Sequence, residues 1–89
     1  MIKVLLPPGL EKFANARQLE GLGSNLLELL ANLEVAAPGL KGKILNDKRE
    51  ILNFIVIFVN GQDVRMLDGH ETELKQSDEV KIFTALAGG

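Results

Sequence analysis

One segment near the middle of the chain restricts its possible folds more than any other. It is a run of β-branched and aromatic residues that ends in an Asn-Gly pair, Asn53-Phe54-Ile55-Val56-Ile57-Phe58-Val59-Asn60-Gly61. Residues of these types favour strands, and Asn-Gly is the strongest short hairpin signal because both turn positions take a positive φ. The segment therefore predicts a strand over 53–59 that turns at Asn60-Gly61 and returns through Gln62-Asp63-Val64-Arg65.

A two-residue turn fixes the register of this hairpin, and the register decides which face each side chain occupies. The pairs that follow from it are Val59–Gln62, Phe58–Asp63, Ile57–Val64 and Val56–Arg65. Because opposed residues share a face, Ile57 and Val64 are predicted to lie in the core. Val56 and Phe58 are predicted to lie on the outer face, where Arg65 is exposed to water.

The rest of the chain supplies one main helix and three further strands. Strands are predicted over 2–6, within 13–22 and over 80–83, with the second paired to the first. Ser24 is placed to cap a helix over 25–33, whose apolar residues recur with helical spacing at Leu26, Leu29, Leu30 and Leu33. The order predicts an α+β roll: a mixed sheet of about five strands with the helix packed on one face.

Alternation along the outer strands predicts an apolar patch on the uncovered face of the sheet. On the first and last strands the same alternation turns Lys3, Leu5, Lys81 and Phe83 outward. If these strands are neighbours, the patch consists of Leu5, Val56, Phe58 and Phe83, ringed by Lys3, Lys81, Arg65 and Asp63. An apolar patch with a charged rim is typical of a protein-docking surface, although isolated exposed apolar residues are also common on sheets.

The composition excludes most catalytic chemistry. The 89 residues include no cysteine and one histidine, so they offer no thiol nucleophile, thiolate metal site or disulfide. Ten Lys and Arg against twelve Asp and Glu give a net charge of −2, which disfavours nucleic acid as a partner. No stretch approaches the roughly 20 apolar residues of a membrane helix. We therefore expect a small cytoplasmic domain without a metal site.

Two segments and the C-terminal end resemble a known family. The ending Thr84-Ala85-Leu86-Ala87-Gly88-Gly89 is similar to that of ubiquitin-like proteins. Residues 54–65 resemble the central hairpin of the MoaD/ThiS family of sulfur carriers, and 74–82 resemble its final turn and strand. The resemblance implies a β-grasp domain over 1–84 and a flexible tail over 85–89. The MoaD-like and CysO-like branches are the most similar, although relatives commonly have a proline near the position of Thr84.

The resemblance also implies a chemistry that the chain performs with partner enzymes. A MoeB/ThiF-like enzyme binds ATP, whose α-phosphate is attacked by the Gly89 carboxylate to form an acyl-adenylate. A sulfur donor then displaces AMP and leaves a thiocarboxylate, which an acceptor synthase consumes in molybdopterin, thiamine or cysteine biosynthesis. Gly88 has no Cβ and lets the tail enter a narrow channel. The chain is then a carrier or the small subunit of a synthase, binds no cofactor itself and is not an enzyme.

Two other functions fit the same residues. A ubiquitin-like protein modifier would form the same adenylate and then be joined to lysines of other proteins through Gly89. A non-catalytic β-grasp adaptor would keep an inert tail. Gly-Gly remnants on substrate lysines would identify the modifier, whereas an unchanged function after deletion of Gly88-Gly89 would identify the adaptor.

Overall fold

The computed structural model describes residues 1–85, and its central feature is a five-stranded mixed sheet. The strands are β1 (Ile2–Leu5), β2 (Gln18–Gly21), β3 (Ile55–Val59), β4 (Gln62–Asp63) and β5 (Glu79–Thr84). Their order across the sheet is β2-β1-β5-β3-β4. β1 and β5 are parallel, and the other neighbouring strands are antiparallel. The predicted α+β roll is confirmed, and its topology is that of the β-grasp fold.

The main helix lies where the leucine spacing predicts it. This helix, α2, spans Leu26–Ala36, and its four predicted core leucines are at most 1% exposed. The predicted cap is wrong by one residue, because Asn25 Oδ1 accepts the Glu28 N–H at 2.8 Å. Ser24 instead donates its N–H to the Glu28 carboxylate at 2.9 Å. The Asn25 side chain thus satisfies one N–H of the first turn, and the Glu28 carboxylate ties that turn back to Ser24, which precedes the cap residue.

A shorter helix, α1 (Pro8–Ala14), occupies part of the segment that was predicted as the second strand. Pro8 suits the first turn of a helix, where its missing N–H costs no hydrogen bond. Asn15 ends the helix with a left-handed φ of 53°. The prediction of a strand from residue 13 is therefore wrong, but β2 does pair antiparallel with β1 over Gln18–Gly21. Three 3₁₀ helices complete the structure: Pro38–Leu40, Val64–Met66 and Gly69–Glu71.

One face of the sheet packs with α2 and forms the core. Alternate residues of the three central strands are at most 6% exposed: Ile2, Val4, Ile55, Ile57, Val59, Val80 and Ile82. Each fully buried aliphatic side chain stabilises the fold by about 1.5–3 kcal/mol. Because side chains alternate along a strand, this burial directs the intervening residues of β1, β3 and β5 to the opposite face.

The hairpin turns at the predicted residues but returns as a shorter strand. Asn60 and Gly61 have φ values of 50° and 86°. Two predicted pairs are present, Phe58↔Asp63 and Val59↔Gln62. The strand then ends, because the Asp63 carboxylate accepts the Arg65 N–H at 2.9 Å and begins the 3₁₀ helix Val64–Met66.

The predicted strand pairs Ile57–Val64 and Val56–Arg65 are therefore wrong. Val64 is still 3% exposed and belongs to the core, as the sequence predicts, but it reaches the core from a 3₁₀ helix.

Asn60 also connects the hairpin turn to the start of β5. Its Nδ2 donates to Asp78 Oδ1 at 3.0 Å, and its Oδ1 accepts the Glu79 N–H at 3.0 Å. The other Asp78 oxygen accepts the Lys75 N–H at 2.8 Å. The bond from Asn60, followed by the bond from Lys75, favours the charged carboxylate and lowers the pKa of Asp78 below its ordinary value of 3.8.

We expect Asp78→Asn to weaken the acid dependence of the protein's stability. The folded-state pKa of Asp78 is depressed, so its contribution is complete above the unfolded value and is lost as pH falls through the folded one. Urea unfolding from neutral to strongly acidic pH should therefore show a smaller loss in the variant. Asn60→Gly keeps the turn geometry, removes both side-chain bonds, and should reduce the acid dependence similarly. Identical pH profiles for wild type and both variants would contradict this role.

Candidate functional site

The outer face of the sheet carries four apolar side chains on three adjacent strands. They are Leu5 of β1, Val56 and Phe58 of β3, and Phe83 of β5, which together we call the outer patch. Val56 lies opposite Phe83 in the strand register. The rings of Phe58 and Phe83 meet edge to face with centroids 5.6 Å apart. Phe83 is 46% exposed and the other three are half-buried, so the patch is accessible to a partner.

Lys81 lies between members of the outer patch, whereas the sequence predicts it on the rim of the patch. Because β5 runs between β1 and β3, Lys81 is the register partner of both Leu5 and Phe58. Lys3 is at the edge of the patch, with Glu20 and Glu79 as its partners on the neighbouring strands. Of the two lysines predicted on the rim, Lys3 therefore lies at the edge of the patch and Lys81 lies between two of its members.

Arg65 remains beside β4, but it is committed to a neighbouring carboxylate. Its Nη2 donates to Asp63 Oδ2 at 2.6 Å, and its Nε lies 3.1 Å from both Asp63 oxygens. The side-chain hydrogen bonds lower the pKa of Asp63 and raise the pKa of Arg65. Arg65, which was predicted for docking, therefore forms a bidentate ion pair with Asp63, and the pair has no net charge.

Phe54 was missed as a member of the outer face, although alternation from Val56 would have placed it there. It is 37% exposed, and its carbonyl oxygen accepts the Ala85 N–H at 2.7 Å. This bond continues the β3–β5 pairing one residue beyond Thr84. It therefore fixes the position at which the chain leaves the sheet, beside Phe54 and Phe83.

Gly88 and Gly89, the predicted reactive end, lie outside the described residues, as does most of the predicted tail over 85–89. Among residues 1–85, neither helix has the length and hydropathy of a membrane span. No three His, Asp or Glu side chains within that range converge on a position that would hold a metal ion.

Comparison with known proteins agrees with the fold. A protein of Archaeoglobus fulgidus, classed as a sulfur carrier protein, is 40% identical over 88 residues, covering 99% of this chain and 98% of the relative. CysO of Amycolatopsis orientalis, solved in complex with BexX, superposes with a TM-score of 0.91 at 30% identity and full coverage of both chains.

Small archaeal modifier protein 1 of Methanosarcina acetivorans has a TM-score of 0.87 at 33% identity, covering 99% of this chain and 95% of that one. The family model described as the ThiS family matches residues 10–89. This match includes four of the five strands, α2, most of α1 and the C-terminal glycines. The chain is therefore a member of the ThiS family of ubiquitin-like sulfur carriers.

Proposed function

We propose that this protein is a sulfur carrier whose Gly89 carboxylate is adenylated by a partner enzyme and converted to a thiocarboxylate. The observation that carries the proposal is the ThiS family match, which extends through Gly89. The exit of the chain beside the outer patch supports it, because a partner that covers the patch also receives the segment beyond Ala85.

In the proposed reaction this chain supplies the nucleophile and the partner supplies the catalytic groups. The Gly89 carboxylate attacks the α-phosphate of ATP held by a MoeB/ThiF-like enzyme, forming the acyl-adenylate and releasing pyrophosphate. Hydrosulfide from a sulfur donor then attacks the acyl carbon and releases AMP. The protein is a co-substrate that binds no cofactor of its own, and the proposal places it in the cytoplasm, where its partner has ATP. An acceptor synthase of molybdopterin, thiamine or cysteine biosynthesis would take the sulfur.

The outer patch is the surface that we assign to partner docking. Leu5, Val56, Phe58 and Phe83 would be covered, and the Asp63–Arg65 pair would lie at the border. Tail threading is assigned to Gly88, because a side chain there would widen a segment that must reach a bound nucleotide.

Phe58→Asp should weaken partner binding by at least about tenfold, because it places a carboxylate in an apolar contact. The loss of the edge contact with Phe83 should cost about 0.5–1.5 kcal/mol of folding stability beyond the partial burial that the ring gives up. The affinity of the adenylating enzyme for the variant measures the effect on binding. Urea unfolding of the free variant measures the effect on stability. Met66→Asp is the matched control, since Met66 is 83% exposed and lies outside the patch. Equal affinity for both variants would show that the patch is not the docking surface.

The direct test is the intact mass of the protein after incubation with its adenylating enzyme, ATP and a sulfide source. We expect a mass gain equal to replacement of one oxygen by sulfur, located at Gly89 by fragmentation. No ATP-dependent change at Gly89 would overturn the proposal.

A protein-modifier function is the second candidate, and the similarity to a small archaeal modifier protein favours it. It uses the same adenylate but transfers Gly89 to a lysine amine of another protein. Gly-Gly remnants on lysines of other proteins, found by digesting extracts of the native cells, would distinguish it from the carrier.

A further inference from the structure

Lys81 differs from the other cations of the outer face in its surroundings. Lys3 faces Glu20 and Glu79 across neighbouring strands, and Arg65 is held by Asp63. Lys81 has apolar register partners on both sides, Leu5 and Phe58. Its contact with the Glu79 carboxylate is 3.8 Å long, between side chains that are 49% and 41% exposed. Such a pair contributes little, so water provides most of the solvation of this ammonium group.

A partner that covers the outer patch must therefore remove that water. Burying a charge without a counter-charge is costly, and the cost is met only when the covering surface provides a hydrogen-bonded ion partner. Glu79, which lies towards the start of β5 and away from the chain exit, supplies only this weak counter-charge when a surface covers Lys81 between Leu5 and Phe58.

A groove continues from Lys81 towards the loop that follows β1. It is lined by Leu5, Pro7, Pro8 and Phe83, with Arg17 and Lys81 as its charged residues. The Arg17 side chain is 79% exposed and its Nε is 3.8 Å from Glu11, so that pairing is weak as well. The apolar groove therefore has two incompletely paired cations and directly continues the outer patch.

We propose that the adenylating partner inserts an acidic segment here, with one carboxylate on Lys81 and a second facing Arg17. The proposal rests on the proposed function, because it assumes that the outer patch is covered by that enzyme. Apolar side chains of the segment would fill the groove beside Leu5 and Phe83. Lys81 is then a specificity-determining residue, since it rejects a partner surface that lacks a carboxylate at this position.

The experiment measures ATP–pyrophosphate exchange by the adenylating enzyme against carrier concentration. Lys81→Glu and Lys81→Met should each raise KM by at least about tenfold, with kcat unchanged, because they leave the partner's carboxylate repelled or unpaired. Arg17→Glu should raise KM less, since Arg17 is more exposed. Lys81→Arg should stay close to wild type. Lys75→Glu is the matched charge control, because this exposed lysine precedes β5 at the end opposite the chain exit.

The exchange rate of the wild type and the KM values of the variants test the two proposals separately. Exchange with wild type tests the function, and its absence would overturn both. Normal wild-type exchange with an unchanged KM for Lys81→Glu would overturn only the acidic segment. A lower KM for Lys81→Met would do the same, because it would show that the partner covers Lys81 with apolar groups. A raised KM for Lys81→Glu, together with a wild-type KM that rises when salt is added, would support the ion pair, because salt screens the attraction between opposite charges.

Discussion

Removal of Gly89 is expected to abolish adenylation and leave the folded domain unchanged. Within the described residues 1–85 the sheet ends at Thr84 and every core residue precedes it, and the Ala85 N–H donates to the Phe54 carbonyl oxygen at 2.7 Å. From that fixed position the four residues 86–89 span at most about 13–14 Å, or about 3.3–3.6 Å each. A carboxylate one residue short would miss the nucleotide by about the whole distance that separates reacting atoms in a productive complex, roughly 3–3.5 Å.

ATP–pyrophosphate exchange and thermal unfolding together check this prediction. The truncated chain should show no exchange above background and an unchanged Tm. Gly9→Ala is a useful control for the loss of a glycine, because the added methyl group has no neighbour within 4 Å. Exchange at the wild-type rate by the truncated protein would assign activation to another carboxylate.

Local sequence patterns predict the parts of this fold that depend on neighbours in the chain. The leucine spacing defines α2, and alternation defines the buried face of β3, because each pattern is created by residues a few positions apart. The N-terminal segment is different. Taken as sequence alone, Pro7-Pro8-Gly9 indicates a turn. In the structure Pro8 starts α1, since proline is compatible with both a turn and the first turn of a helix. Tertiary packing on the Pro38–Leu40 segment decides between them.

In the candidate site too, some features follow from neighbouring residues in the chain and others depend on tertiary structure. Alternation predicts that Leu5, Val56, Phe58 and Phe83 face outward. It does not predict that Lys81 lies among them, because that depends on β5 lying between two strands that are distant in sequence. Strand alternation also does not predict the ion pair between Asp63 and Arg65. A two-residue hairpin turn fixes the register at Asp63 but does not determine how far the return strand continues.

Ile57→Asp is expected to unfold most of the protein at neutral pH. Ile57 is 1% exposed and its side chain packs within the central cluster of the core. The substitution removes about 1.5–3 kcal/mol of apolar burial and adds the cost of an unpaired buried carboxylate, for a total of about 5 kcal/mol or more. A domain of this size is stable by about 4–13 kcal/mol, so a loss of about 5 kcal/mol or more exceeds the stability at the lower end of that range.

The adjacent residue provides the control for this prediction. Phe58→Asp introduces the same side chain on the outer face and should leave the protein folded, whereas Ile57→Val should cost only about 0.5–1.5 kcal/mol. Burial would raise the pKa of the new carboxyl in Ile57→Asp. Its penalty should therefore shrink as pH falls towards the ordinary range of an aspartate, and circular dichroism across that range would detect it. Equal stability of Ile57→Asp and Phe58→Asp would mean that β3 does not separate a core face from a docking face, and the outer patch would lose its structural basis.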